Sequence, residues 1–388
     1  MKTPLIAQEY FFHCFGEEED YVYFSHGRLE ILGNHTDHNR GLVLCAGCDL
    51  GITAAVSEDE DDYVCVHSEG FKSFEFPLSD LSLRENELGT SMALVKGILQ
   101  RMKDLGYKIG GFKMACVSDI FAGAGVSSSA AFESLIVKVI DDLYNGGVIA
   151  PLEMAKIGQY AENVYFGKPS GLLDQIGTSF GGLTYVDFKE DDPEVEPLDF
   201  PFHGLSIFLV NPGSSHEHLT PLYASIPSDM KGIAKEIFGK SVLREISREE
   251  FFRYVNLPTP GLSERAKLRA THFFEENNRV LEARRAIKNR DEAIFLDAIN
   301  NSQLSSQAML GNTFVPGQYE KSPQQAIDAL KPFLKKGAIR IMGGGFAGSV
   351  IAFVHDAEKG DFLAAATQYF GKENVVPVKI LSKGPIKV

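Results

Sequence analysis

The chain has 388 residues with 52 acidic and 38 basic side chains, a net charge of −14. This balance disfavours binding to a nucleic acid, which depends on clustered lysine and arginine. The length predicts two domains, which we place at 1–200 and 201–388. No apolar run reaches the roughly 18 residues of a transmembrane helix, and the N-terminus lacks a signal-peptide pattern. We therefore expect a cytoplasmic protein with no membrane partner, and no obligate protein partner is evident.

Apolar patterning predicts a mixture of strands and helices along the first 200 residues. Five consecutive acidic residues, 58–62, separate two strand-like runs and predict the loop of a hairpin. A glycine pair at 146–147 predicts the end of a long helix. The predicted strands are 21–32, 41–57, 63–68 and 112–119, and the predicted helices are 90–106, 127–147 and 151–167.

The rest of the chain begins with a predicted strand, 205–211, and is mainly helical from 221 to about 310. A strand, a glycine turn and a second strand follow over 338–354, and the chain closes with a helix and a strand. Such blocks of one element type are typical of α+β domains rather than of one doubly wound sheet.

The most unusual polar run lies between residues 26 and 44, where an arginine, acids and three histidines crowd together. It could be a polar turn, a metal site or a surface that binds a small polar molecule. His35, Asp37 and His38 are too close along one turn to bind a single ion easily. The separate segment 216–218 lacks the H-E-x-x-H spacing of zinc enzymes. We therefore predict no zinc site.

Two glycine-rich segments could approach phosphate. Residues 123–129 follow a strand and open a helix, where unpaired N–H groups and the helix dipole favour an anion. The alternative is an ordinary serine N-cap. Residues 343–348 satisfy G-x-G-x-x-G, but a strand follows instead of the helix that a dinucleotide site requires. No P-loop lysine motif occurs.

Four segments in chain order resemble the GHMP kinases, a superfamily of small-molecule kinases. The family patterns are G-R-x-N-x-I-G-E-H-x-D-Y-N-x-G, P-x-G-A-G-L-S-S-S-A-A, G-I-M-D-Q and G-G-G-F-G-G. The matching segments here are GRLEILGNHTDHNRG at 27–41, FAGAGVSSSAA at 121–131, GLLDQ at 171–175 and GGGFAG at 343–348. One such match is modest, but four in order, spread over most of the chain, are specific.

This resemblance implies a two-domain α+β fold, with an N-terminal ATP-binding domain and a C-terminal ferredoxin-like domain. The active site is then expected in the cleft between them. The implied activity is ATP-dependent phosphorylation of a monosaccharide, most simply galactose to galactose 1-phosphate, with ATP and Mg²⁺ required. The alternatives are another sugar, such as an amino sugar or a pentose, and a non-catalytic sensor of sugar and nucleotide.

The resemblance also implies roles for particular residues. Asp174 corresponds to the catalytic base and Arg28 to the cation that stabilises the transferred charge, the alternative being a structural ion pair. Glu162 could equally be the polar face of its helix, and Tyr223 a core residue. The implied sugar contacts are Asn34, His35, Asp37, Gly171 and Tyr223; the implied ATP contacts are Gly123, Ala124, Gly125, Val126, Ser127, Ser128 and Ser129; the implied Mg²⁺ ligands are Ser129 and Glu162.

The first motif departs from the family pattern at three positions. Glu30 stands where the family has asparagine, Asn34 where it has glutamate, and His38 where it has tyrosine. Phe121 and Ala347 replace a proline and a glycine of the later motifs. The family glutamate contacts the sugar, so we expect the choice of sugar to depend most on Asn34. An amide can both donate and accept, so that contact need not be lost.

Overall fold

A computed structural model describes residues 4–121, 123–214, 219–255 and 263–388. Segment 216–218 therefore lies outside the described residues. Within them, no helix is both long and apolar enough to cross a membrane. The elements up to residue 200 are α1 (Pro4–Phe15), β1 (Tyr21–Leu32), β2 (Leu42–Asp59), β3 (Tyr63–Ser68), β4 (Phe74–Pro77), α2 (Ser91–Asp104), β5 (Gly111–Ser118), α3 (Ser128–Ile140), α4 (Pro151–Tyr160), α5 (Leu173–Phe180), β6 (Leu183–Asp187) and β7 (Glu194–Leu198).

The remaining elements alternate less regularly, and most of them are helices. In chain order they are β8 (Leu205–Val210), α6 (Thr220–Phe238), α7 (Arg248–Tyr254), α8 (Glu264–Asn289), α9 (Glu292–Ser305), α10 (Pro323–Leu330), β9 (Ala338–Ile341), β10 (Val350–His355), α11 (Lys359–Phe370), β11 (Val375–Val378) and β12 (Ile386–Lys387).

The first sheet has the strand order β12-β1-β2-β5-β3-β4, and β6 and β7 extend it from β2. The predicted hairpin around residues 58–62 is wrong. The chain does turn there, but β3 pairs in parallel with β5. The reason is that β5 occupies the edge of β2, pairing Ile52 with Ser118 and Asp59 with Gly111. An acidic turn shows where a strand ends, but it does not determine which strand pairs next.

Helices α2, α3 and α4 cover one face of this sheet, as their apolar spacing predicts. Leu94, Ile98, Leu135 and Ile157 lie together in a buried cluster beneath the strands. Both α3 and α4 continue into a wider π-helical turn. The second of these turns, Ala161–Phe166, carries Glu162 towards the start of α3, so the widening affects the predicted site.

The second sheet has the order β11-β8-β10-β9, with every neighbouring pair antiparallel. Its β-α-β-β-α-β connectivity is the ferredoxin-like arrangement that was expected. Helices α6 to α10 all fall within its first crossover. The chain moves from the first sheet to the second between β7 and β8, close to residue 200, and the two-domain boundary there stays a prediction.

The two sheets are not independent halves of the chain. Leu29 and Leu44 of the first sheet share an apolar cluster with Leu209 and Phe353 of the second. The last strand, β12, also returns to the first sheet, where it pairs with β1. Burial of apolar surface between the sheets stabilises their relative placement, so residues from distant parts of the sequence meet in a fixed geometry.

Candidate active site

An arginine–aspartate pair lies at the centre of the candidate site. Arg28 of β1 donates from Nε to Asp174 Oδ1 at 2.9 Å, and its Nη2 lies 2.8 Å from the same oxygen. Asp174 belongs to the first turn of α5. One turn further along α5, a Cβ on Gly177 would come within 2.7 Å of the Arg28 Cβ. A glycine at this position therefore allows α5 to approach β1 closely enough for the pair to form.

The environment of Asp174 keeps its carboxylate ionised. Burial opposes the charge, but the neighbouring Arg28 guanidinium, a hydrogen bond with Ser127 and the Lys168 ammonium together hold the pKa of Asp174 below its ordinary value. The Asp174 side chain is 33% exposed whereas that of Arg28 is 6% exposed. The carboxylate is thus the accessible member of the pair, which a proton acceptor requires.

The serine-rich turn, residues 123–129, wraps around the same arginine. Arg28 donates from Nη1 to the Gly125 carbonyl at 2.6 Å, and its backbone N–H donates to Val126 O at 2.8 Å. Ser127 occupies the N-cap position of α3 with φ 56°, yet its side chain makes no capping hydrogen bond. The alternative of an ordinary serine cap is therefore wrong. The Ser127 hydroxyl is directed to Asp174 instead.

The positions along the serine-rich turn alternate in exposure. Ala124 and Val126 are buried and pack into the apolar cluster between the sheets. Gly123 and Gly125, both at positive φ, are partly exposed. Ser128 is exposed and Ser129 partly so at the beginning of α3. The side accessible to a ligand therefore consists of glycine backbone and hydroxyls, the groups that suit a phosphate chain at a helix N-terminus.

The third glycine turn, residues 343–348, meets both earlier motifs. Ser349, directly after it, donates to Gly123 O at 2.8 Å. A Cβ on Gly343 would lie 3.8 Å from Arg28 Nη2. The Gly343 and Gly344 carbonyls accept from Asn34 Nδ2 at 2.6 Å and from His35 Nε2 at 2.9 Å. All four segments that carry the family resemblance thus come together around Arg28.

The segment between β1 and β2, residues 33–41, is here named the substrate loop. His35 adopts a left-handed conformation, φ 58°, which a non-glycine residue rarely does. Burial lowers the pKa of His35 to about 3, so the ring is neutral, and its Nε2 must carry the proton to donate to Gly344 O. A Cβ on Gly171 would lie 2.2 Å from Asp37 Oδ2. Only glycine at position 171 permits this approach.

Tyr223 lies beside the third glycine turn. Its hydroxyl donates to Gly345 O at 2.9 Å, and its ring packs edge-on against Phe346 with centroids 5.5 Å apart. A Cβ on Gly344 would lie 2.7 Å from the Tyr223 ring. Since His35 bonds to the same Gly344, the tyrosine and the substrate loop meet across this turn. Tyr223 therefore packs against the third glycine turn, and its contact with a sugar stays a prediction.

Asn34 does not face a sugar pocket, which corrects the expectation of a direct contact. Its residue surface is fully buried. Asn34 Nδ2 donates to Glu30 Oε1 at 2.9 Å and to the Gly343 carbonyl, and Asn34 Oδ1 accepts from Asn312 Nδ2 at 2.8 Å. The amide is thus occupied by protein groups on both its atoms and has none left for a sugar hydroxyl.

The two residues that depart from the family pattern at positions 30 and 34 are in direct contact. The family pattern has asparagine then glutamate, this chain has glutamate then asparagine, and here the two side chains bond to each other. The carboxylate at position 30 is balanced by Arg340, whose Nη2 lies 3.2 Å from Glu30 Oε1 and whose residue surface is fully buried. The exchange retains the polar pair while moving its charge away from the substrate loop.

The candidate metal ligands form a small acidic cluster. Ser129 Oγ lies 3.5 Å from Glu162 Oε1, and Lys168 Nζ lies 2.8 Å from the same oxygen. Gln175 Nε2 donates to Glu162 and to Glu133 at 2.8 and 3.0 Å. Serine and glutamate oxygens are the hard donors that Mg²⁺ prefers, so the residue types fit the ion. However, the Lys168 ammonium already pairs with Glu162 Oε1, an oxygen that would bind the ion.

Glu133 is the least expected member of this cluster. It is fully buried in α3, and its Oε1 has no hydrogen-bond partner among the described residues. Burial and the neighbouring charge of Glu162 raise the pKa of Glu133 well above its usual range. Both effects disfavour the charged form of Glu133 and so oppose the build-up of negative charge in this cluster.

Sequence reasoning missed several residues that shape the site. Gln175 belongs to a recognised segment, but no role was assigned to it. Lys168 and Glu133 lie outside the residues given roles, and helical spacing alone does not distinguish a buried glutamate from a solvated one. Arg340, and Glu276, whose Oε1 accepts from the Gly33 N–H at 2.9 Å, come from the second half of the chain, over 200 residues from the substrate loop. No local pattern connects them to it, and only tertiary packing does.

Comparison with known proteins places this geometry in a family. Residues 9–58 match the galactokinase galactose-binding signature, and residues 93–182 match the GHMP kinase N-terminal domain. A galactokinase of Clostridium perfringens is 30% identical over 97% of this chain and 98% of that protein. A galactokinase of Pyrococcus furiosus is 32% identical over 85% and 88% of the two chains.

Solved structures agree with the sequence comparison. The crystal structure of Lactococcus lactis galactokinase complexed with galactose superposes with a TM-score of 0.84 at 28% identity, covering 100% of both chains. A mevalonate kinase structure shares the fold, with a TM-score of 0.66 at 16% identity. The full-length similarity and the four converging motifs lead to one conclusion: the chain belongs to the galactokinase family of the GHMP kinases.

Proposed function

We propose that this chain transfers the γ-phosphoryl group of ATP to the anomeric hydroxyl of galactose, giving galactose 1-phosphate and ADP. The Arg28–Asp174 pair carries this proposal, because it puts an ionised, accessible carboxylate and a buried guanidinium where the motif loops meet. Phosphoryl transfer depends mainly on positioning and charge stabilisation. Both requirements are supported by the geometry around Arg28.

In the proposed reaction, Asp174 accepts the proton of the anomeric hydroxyl while the oxygen of that sugar hydroxyl forms a bond to the γ-phosphorus. The bond from that phosphorus to the β-phosphate oxygen breaks, and ADP leaves with the electron pair. The lowered pKa of Asp174 makes it a weak base, so the proton moves late, as the new bond forms. Arg28 keeps the carboxylate ionised and stabilises the charge on the transferred group.

ATP is proposed to bind along the serine-rich turn, with its phosphates at the N-terminus of α3. The uncapped helix end and the exposed backbone of Gly123 and Gly125 support this orientation. Ser129 and Glu162 would hold Mg²⁺, which supplies charge neutralisation on the phosphates when bound. Lys168 would have to release Glu162 for that contact, and its side chain, 57% exposed, has room to move.

The sugar is proposed to lie between the substrate loop and the third glycine turn, held by His35, Asp37, Gly171 and Tyr223. A neutral imidazole, a carboxylate and a phenol can pair with several hydroxyls at once. Such a site rejects sugars that lack one of those hydroxyls, because a buried polar group then stays unpaired. Galactose is the sugar that the family membership favours, and Asn34 has no surface through which to alter that choice directly.

The deciding assay measures ADP release with galactose, glucose, galactosamine and arabinose at saturating Mg²⁺·ATP. Galactose should give the highest kcat/KM, and Asp174→Asn should remove turnover while it retains the sugar-induced rise in melting temperature. A higher kcat/KM for another of these sugars would make that sugar the substrate. A non-catalytic sensor would instead show the sugar-induced rise without any ADP, and this outcome would overturn the kinase proposal.

A further inference from the structure

One face of helix α8 holds the backbone of the substrate loop. Three residues of this face contact the loop or the residue that follows it: His272, Glu276 and Asn277. The ring Nε2 of His272 donates to the Asn34 carbonyl at 3.0 Å, and Asn277 Oδ1 accepts from the backbone N–H of Leu42 at 2.8 Å. These contacts fix the loop from the second half of the chain, whereas His35 and Asp37 of the loop are the side chains proposed to meet the sugar.

Glu276 makes the densest set of contacts on this face. Its Oε1 accepts from the backbone N–H groups of Gly33 and Asn34 at 2.9 and 3.4 Å and from the Ser302 hydroxyl at 2.7 Å. Its Oε2 accepts from Arg279 Nε at 2.7 Å. The residue is fully buried. Burial opposes its charge, but Arg279 and the other partners lower the pKa of Glu276, so it is ionised.

The conformation of the loop explains why it needs an anion from outside. Gly33 has φ 101° and His35 has φ 58°, so the chain turns twice through left-handed conformations around Asn34. Successive backbone N–H groups in such a turn form a concave anion site. If it stayed empty, each buried N–H would lack a partner at a cost of about 1–3 kcal/mol. Here the carboxylate of Glu276 fills that site.

We propose that Glu276 is a positioning residue for sugar recognition. Its carboxylate fixes the turn that carries His35 and Asp37, and so sets where their polar atoms meet a sugar hydroxyl. The inference rests on the proposed sugar site. It extends that site to a residue of α8 whose contacts are all within the protein, and a displacement of about 1 Å in such a turn can cost up to about 100-fold.

The test compares Glu276→Gln with Glu275→Gln. Glutamine retains the size of residue 276 but loses the charge and one accepting oxygen. We expect Glu276→Gln to raise the KM for galactose about 10- to 100-fold, with kcat per active site and the KM for ATP changed less than about twofold. Glu275, the sequence neighbour, pairs with Arg248 at the surface, so its variant should match the wild type in all three.

Ser302→Ala is a second variant that tests the role of Glu276 in case Glu276→Gln does not fold. It removes the hydroxyl that donates to the same Oε1 and leaves the charge in place. We expect about a threefold rise in the KM for galactose, in line with one lost hydrogen bond. Variants that melt at lower temperature but keep the wild-type KM for galactose would show that Glu276 serves stability alone, which would overturn the inference.

Sugar binding provides a readout that does not depend on turnover. The galactose-induced rise in melting temperature should be much smaller in Glu276→Gln than in Glu275→Gln at the same galactose concentration. If the wild type shows this rise but no ADP release, the kinase proposal fails while the inference is still tested. An equal rise in both variants would overturn the inference alone, and no rise even in the wild type would overturn both.

Discussion

The substrate loop and the serine-rich turn both contain residues at positive φ, but the partners of their backbone N–H groups differ. In the substrate loop, the carboxylate of Glu276 accepts from two neighbouring N–H groups. At the serine-rich turn, Ser127 leaves the N-terminus of α3 without a side-chain cap. The protein thus fills one potential anion site itself, while the other, the proposed phosphate site, has no side-chain cap.

This difference predicts different behaviour for the proposed sugar site and the proposed phosphate site. The sugar side is rigid, because its loop is buried and bonded to α8 and to the third glycine turn. On the phosphate side, the exposed Lys168 is paired with Glu162, the acid that would change partner if it bound the proposed metal ion. Substitutions on the sugar side should therefore affect stability and sugar KM, and those on the phosphate side should affect rate and metal dependence.

The largest effect is expected from Asp174→Asn, on the phosphate side. Removing the proton acceptor should lower kcat by about 10²- to 10⁴-fold, the usual contribution of a general base. The galactose-induced rise in melting temperature should persist, because the substrate loop is untouched. Steady-state ADP release measures the fall in kcat, and thermal melting measures the galactose-induced rise in melting temperature. A variant with near wild-type kcat would remove Asp174 from the mechanism.

On the sugar side, Asn34→Glu should mainly cost stability. The new carboxylate would be buried beside Glu30 and near Glu276 without a cation of its own, and an uncompensated buried charge costs about 3–5 kcal/mol. Denaturant unfolding measures the loss. The matched control is the double variant Glu30→Asn with Asn34→Glu. It has the family order, asparagine at 30 and glutamate at 34, and the pair again contains only one carboxylate. If the single variant were as stable as wild type, the exchange would not be coupled.

The buried histidines of the sugar side predict a stability that depends on pH. Burial lowers the pKa of His272 to about 4 and that of His35 to about 3. An unfolded histidine, with a pKa of about 6.5, takes up a proton that the folded one does not. The stability due to each histidine is therefore fully present above about pH 6.5 and is lost as the pH falls.

The expected loss is about 1.4 kcal/mol per pH unit for each histidine between pH 6 and pH 4.5. Chemical denaturation at several pH values measures this slope. His272→Gln, which removes one of the two groups, should lower the slope by about that amount per pH unit. A slope in His272→Gln equal to that of the wild type would contradict the prediction for this ring.

The smallest effect is expected from Lys168→Met. Without the ammonium, Glu162 is free for Mg²⁺, so the half-saturating Mg²⁺ concentration should fall about two- to fivefold, since an exposed ion pair contributes at most about 1 kcal/mol. Mn²⁺ binding followed by electron paramagnetic resonance, in the presence of ADP, measures this directly. Lys189→Met is the control, because Lys189 pairs loosely with Glu190 at the surface. A weaker metal affinity in Lys168→Met would contradict the competition.

The glycine motifs and their order were sufficient to predict the fold class, the family and the meeting of Arg28 with Asp174. Local patterns also predicted β1, α2 and the strand–turn–strand unit around 343–348, because alternation and helical spacing are properties of neighbouring residues. Strand pairing was not predictable in the same way. The place of β5 between β2 and β3 depends on which edge is free after folding.

The sequence by itself determined the fold class and the family, and it predicted which residues carry the chemistry, since a phosphate turn, a base and a cation need particular residue types at particular spacings. Only the tertiary structure decided what those residues touch. It turned Asn34 away from the sugar and towards Glu30, paired Glu30 with Arg340, and put the carboxylate of Glu276 under the substrate loop. Buried charges and N–H groups need partners, and the fold supplies those partners from segments that are far apart in the chain.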